Sequence, residues 1–218
     1  MKKLTLDLTD YGIYFIILLG SGIFGNVLHD IIMSTTNETL VFPLGAVCVF
    51  GIAIIYLIAT GWFSDRLEFN LKVSMGCTRK EYFFCRVVNM LVKVVITMAT
   101  LLMIYYIEIL KFKIFYPGYE IDFEVDKFFD FPMLFVFLIS VAMLSFLMSV
   151  IIMKIGKAAF WVFWGIYMLS IASGKYIIPA IVKVVSAKQI YVVVGMLVLA
   201  LSATVVSKIL VMKQSVTM

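Results

Sequence analysis

Residues 41–63 read VFPLGAVCVFGIAIIYLIATGWF, and residues 64–86 read SDRLEFNLKVSMGCTRKEYFFCR. The first stretch has no Asp, Glu, Lys or Arg over 23 residues. Roughly 20 apolar residues suffice for a helix to cross a hydrocarbon core of about 30 Å. The second stretch is too polar to cross, and its apolar residues have a pattern. Leu67, Leu71 and Met75 recur four apart, Phe69 and Val73 form a second ridge, and Glu68 precedes Lys72 by four. That is helical spacing with a favourable ion pair. Gly76 then reads as a helix stop. Thr78-Arg79-Lys80-Glu81 reads as a capping box that starts the next helix. A span followed by a capped helical hairpin is therefore expected here.

Working outward, apolar runs of similar kind occupy residues 11–33, 87–110, 131–153, 158–173 and 190–212. The expected fold class is an all-α membrane protein: one transmembrane domain over 1–218 with six transmembrane helices. The 11–33 run lacks a small-residue cleavage site soon after it, so it is expected to be retained. The fifth and sixth runs also fit one re-entrant hairpin, with residues 177–187 in the interface. Composition agrees with lipid as the outer solvent. Of the 218 residues, 64% are hydrophobic and 14% charged, and the mean hydropathy is +1.11. A soluble domain of this length could not hide so much apolar surface.

The net charge is +5. The basic residues lie between apolar runs, which points to membrane orientation and not to nucleic acid. With the N-terminus inside, Lys2, Lys3, Arg66, Lys72, Arg79, Lys80, Arg86, Lys93, Lys154, Lys157, Lys208 and Lys213 fall on the inner side. Lys111, Lys113, Lys127, Lys175, Lys183 and Lys188 fall outside. Twelve against six places both ends in the cytoplasm. The hairpin at 64–86 then lies on the cytoplasmic face. Its two ridges are able to face two bodies at once, the bundle and a partner.

Catalytic chemistry finds little support. There is one histidine, His29, and the three cysteines (Cys48, Cys77, Cys85) lack zinc or disulfide spacing. No GxxxxGK[ST] phosphate loop occurs. His29 and Asp30 lie near the end of the first run and are expected to reach the interface. Glu108 is expected to pair with Lys111, one turn away, and Lys93 to snorkel to the inner surface. Glu120, Asp122, Glu124 and Asp126 alternate with apolar residues, as in an extended segment. They are candidates for an outer substrate or ion contact, or else a solvated loop. Ser21 with Gly25, and Ser145 with Ser149, are small-residue pairs that fit close helix packing.

The segment Ser74-Met-Gly-Cys-Thr-Arg-Lys-Glu-Tyr-Phe83 resembles the Met/Leu-Gly-x-Ser/Thr-Arg-Lys-x-Phe segment of ABC-type exporter permeases, especially the small permeases of Gram-positive bacteria. There it lies between the second and third of six spans, as it does here. The likeness covers the span layout coarsely and these ten residues more closely. It departs in a short amino-terminal lead and a modest loop after the fifth run. The resemblance implies that Leu71, Met75, Gly76, Cys77, Thr78, Arg79, Lys80 and Glu81 form a coupling helix against a cytoplasmic ABC ATPase subunit. It implies a multi-pass protein of the bacterial plasma membrane working with a second copy of itself or a related permease. The chain would not itself be an enzyme. ATP and Mg would sit on the partner, no cofactor would bind directly, and the cargo would be a peptide, a peptide antibiotic or a lipid-like molecule. A membrane immunity, sensor or scaffold protein with a docking hairpin is the alternative expectation.

Overall fold

A computed structural model describes residues 8–35, 40–63, 65–115, 120–121, 130–172 and 189–214. The helices among them are α1 (Leu8–Thr35), α2 (Leu44–Phe63), α3 (Asp65–Ser74), α4 (Arg79–Phe115), α5 (Phe131–Ile155), α6 (Lys157–Ala172) and α7 (Gln189–Met212). Two two-residue strands, β1 (Leu40–Val41) and β2 (Glu120–Ile121), pair in parallel, Leu40 opposite Glu120 and Val41 opposite Ile121. The expected extended segment is thus present at its first two residues. Asp122, Glu124, Asp126 and the 177–187 stretch lie outside the described residues.

Among the described residues four helices are long and apolar enough to cross a membrane: Thr9–Thr35, Arg79–Phe115, Phe131–Ile155 and Ile190–Met212. The apolar stretch Leu44–Thr60 of α2 and the 16 residues of α6 fall short of that length. The third expected run is the middle of a longer helix. α4 is 37 residues, about 55 Å at 1.5 Å per residue, and it runs unbroken from the capping box.

The chain divides into two compact units, Met1–Tyr56 with Val88–Phe135, and Leu57–Val87 with Val136–Met218. In the first unit α1 buries Tyr11, Tyr14, Leu18, Gly22, Gly25 and His29, one face at helical spacing. Ile13, Ile16, Phe24, Val27 and Ile31 stay exposed on the same helix. A helix with large apolar side chains on its outer face is at home in lipid. The unit's core joins Tyr14 and Leu18 of α1, Ala46, Val49 and Ala53 of α2, and Leu101, Ile104 and Tyr105 of α4. Phe131 and Leu134 pack against it.

The second unit is centred on Phe69, Tyr82, Phe146, Val150, Met153 and Val211. Hydrogen bonds between helices supplement packing, because lipid supplies no hydrophobic drive between helices. The Ser145 hydroxyl donates to the Leu57 carbonyl at 2.7 Å, and that of Ser140 to the Met196 carbonyl at 3.0 Å. Ser145 and Ser149 are both buried, so this small-residue pair serves ordinary packing.

Candidate functional site

The site is built from the four residues Met75–Thr78 between α3 and α4. Gly76 has φ +87°, a left-handed conformation that glycine adopts without steric cost. The Cys77 amide donates to the Lys72 carbonyl at 2.9 Å and the Gly76 amide to that of Val73 at 3.0 Å. Together these bonds are a Schellman cap on α3. The chain then starts α4 at once. The Glu81 amide donates to Thr78 Oγ1 at 3.2 Å, and Glu81 Oε2 accepts from the Thr78 amide at 2.8 Å. This is the reciprocal capping box. Two caps back to back make a turn with little freedom.

The two ridges of α3 part company. Phe69 is 1% exposed and meets Tyr82 edge-on, with ring centroids 5.1 Å apart. Val73 packs on the same cluster. Leu71 and Met75 point away, 56% and 74% exposed. Lys72 flanks that ridge, 3.4 Å from Glu68. Arg86 holds the base of the hairpin: its Nη2 donates to the Thr60 carbonyl at 3.3 Å, and its Nη1 lies 3.8 Å from Glu68 Oε2. Arg79, expected in the docking set, is half-buried. Its Nη1 donates to the Met212 carbonyl at 2.9 Å. Thr78, Lys80 and Glu81 remain on the surface.

Burial pushes the Cys77 thiol above its usual range, and the Glu81 carboxylate pushes it further the same way. Only the thiolate is nucleophilic. In a Cys48→Ser, Cys85→Ser background, iodoacetamide is expected to label Cys77 more slowly than an unstructured peptide thiol at neutral pH. The rate should climb as pH rises above the ordinary thiol range. A rate equal to the peptide's across the pH series, read by mass spectrometry, would contradict this environment.

Three ionisable groups in the first unit depart from expectation. Glu108 does not pair with Lys111. Its two oxygens accept the Gly45 and Ala46 amides at 2.7 and 2.9 Å. Lys111 instead grips Asp30 of α1 at 2.6 and 2.7 Å. Asp30 reaches the surface at 46% exposed, but His29 does not. His29 is buried with its ring 4.8 Å from that of Phe112. Lys93 does not snorkel. It is buried with Nζ 5.1 Å from the Tyr56 ring centroid, a cation–π distance. The Tyr14 ring lies tilted with its centroid 4.5 Å from that of Tyr56, and its hydroxyl meets Thr97 Oγ1 at 2.6 Å.

A signal for all three was present. His29 continues the Tyr11–Tyr14–Leu18–Gly22–Gly25 phase of α1, and Lys93 and Glu108 share a face with Met90, Thr97, Leu101 and Phe112 on α4. Helical phase outweighs nearness to a helix end. Among the described residues no cluster of three His, Cys, Asp or Glu is placed to hold a metal. The hairpin offers a rigid apolar ridge on a polar, capped turn. No known protein family, curated protein or solved structure matches this chain.

Proposed function

We propose that the chain is the membrane-spanning subunit of an ATP-binding cassette exporter, with α3 and its turn docking on a separate ATPase subunit. The observation that carries this reading is the doubly capped hairpin, anchored through Phe69, Tyr82 and Arg86 and leaving Leu71 and Met75 exposed. A lever has to be stiff and fixed at its base, and its contact face has to be free. The likeness of residues 74–83 to the family's coupling segment supports the same reading.

In this proposal α2 and α6 complete six spans. α2, with 20 residues, reaches about 30 Å, and the 16 residues of α6 about 24 Å. Both ends, and the hairpin, lie in the cytoplasm, a topology the Lys and Arg distribution supports, and the membrane is a bacterial plasma membrane. Two such chains enclose the path, and a hydrophobic or amphipathic cargo suits its apolar walls. ATP closure pushes the turn, and the attached helices move as rigid bodies.

The test is whether an ATP-binding subunit is encoded beside this chain and, on co-expression, stays bound through mild solubilisation and purification. Leu71→Ser with Met75→Ser is expected to weaken capture by about tenfold or more, as loss of two central apolar contacts does. Yield and thermal stability should change little, because both side chains are already exposed. Capture equal to the parent would remove the docking role. Capture without cargo-stimulated ATP hydrolysis in vesicles would favour a scaffold or immunity protein.

A further inference from the structure

We infer that Arg79 is a positioning residue, which ties the turn to the end of the last helix and so carries movement of the hairpin into α7. The mechanical role rests on the proposed function, whereas the tie itself rests on geometry alone. Arg79 is the first residue of α4 and Met212 the last of α7. The Met212 carbonyl is therefore one of the four at a helix C-terminus that lack an intrahelical donor. The guanidinium meets it at 2.9 Å, and a cation is favoured at that end of a helix dipole.

A second thread runs from the same terminus. Gln214 Nε2 donates to the Met153 carbonyl at 3.3 Å, and Met153 lies in the last turn of α5. Beneath both bonds, Val211 of α7 and Met153 of α5 share the cluster that holds Phe69 and Tyr82. The turn and the ends of α5 and α7 are thus joined by packing and by two side-chain caps. Arg79 follows directly on the turn, so its bond links the turn's end to α7. A push on Met75–Thr78 reaches α7 through this packed cluster and through one charge-assisted bond. α7 has 24 residues and is about 36 Å long, so it delivers that push across a bilayer thickness.

Hydrogen exchange on the purified full-length chain in nanodiscs tests the tie without any partner. In the parent the Lys213 amide bonds to the Ile209 and Leu210 carbonyls and the Gln214 amide to that of Val211. Arg79→Gln is expected to speed exchange of residues 212–214 about tenfold. Arg79→Lys, which keeps the charge but not the fork, should fall between. Leu71→Ser with Met75→Ser should leave this exchange unchanged. With the ATPase subunit present, Arg79→Gln should keep capture within about twofold of the parent while cargo-stimulated ATP hydrolysis falls at least tenfold. Unchanged exchange in Arg79→Gln, or in Arg79→Lys if the first variant does not fold, overturns the tie. Capture lost as fully as in the Leu71/Met75 variant makes Arg79 a docking residue and overturns the positioning role. If the parent captures no ATPase, the proposed function fails while the exchange result still decides the tie.

Discussion

Glu108→Ala is expected to destabilise the first unit by about 3–5 kcal/mol, the range for removing one partner of a buried, charge-assisted network. The reason is an accounting of helix ends. The first four amides of α2 have no intrahelical acceptor. The Leu44 amide donates to the Phe42 carbonyl, and the Val47 amide to that of Pro43. The Gly45 and Ala46 amides have the Glu108 carboxylate, one oxygen each. Glu108 is 0% exposed, so bulk water does not reach the amides it serves in the parent. The variant leaves two buried donors orphaned and removes a negative charge from a helix N-terminus. Glu108→Gln keeps one acceptor and should lose roughly half as much. Unfolding from mixed micelles by added SDS measures the difference. A loss under about 1 kcal/mol in Glu108→Ala would show that the cap contributes little.

Gly25→Ala and Gly45→Ala should cost about as much as severe overpacking does, roughly 2–4 kcal/mol. A Cβ on Gly25 would stand 2.6 Å from Gly45 Cα and 2.8 Å from the Leu44 carbonyl oxygen, both backbone. One on Gly45 would stand 2.7 Å from Asn26 Nδ2, Glu108 Oε1 and the Gly22 carbonyl oxygen. Backbone cannot rotate aside, so α1 and α2 must part. Parting them also pulls the Gly45 amide off Glu108. The Gly45→Ala and Glu108→Ala effects should therefore sum to more than the double variant shows. Gly20 and Gly51 supply the control. Nothing lies within 4 Å of a Cβ at either, and alanine there should be neutral or stabilise by up to about 1 kcal/mol. Equal losses at Gly20 and Gly25 in the same SDS titration would remove close approach as the cause.

The hairpin was legible because its chemistry is local. A Schellman cap reaches five residues and a capping box three, so Gly76, Thr78 and Glu81 declare themselves in the chain. The long spans were legible because a bilayer demands a length of apolar residues whatever their neighbours are. Glu108 was misread because a carboxylate three residues before a lysine satisfies a local rule. The rule lost to two amides presented by α2, more than sixty residues earlier in sequence. His29 and Lys93 were misread for want of a neighbour. Their helical phase pointed inward, but the rings they meet there, Phe112 of α4 for His29 and Tyr56 of α2 for Lys93, lie on other helices.

The 64–86 stretch divides along the same line. By itself the sequence determined that Gly76 stops α3, that Thr78 caps the start of α4, and that α3 carries two apolar ridges. Those outcomes are set by backbone donors, acceptors and φ within a few residues. Only the tertiary structure decided that Phe69 and Val73 go under while Leu71 and Met75 stay out. It also decided that Arg79 reaches Met212, 133 residues away. Burial and long-range hydrogen bonds depend on which surfaces the other helices present, and no window of the chain contains that information.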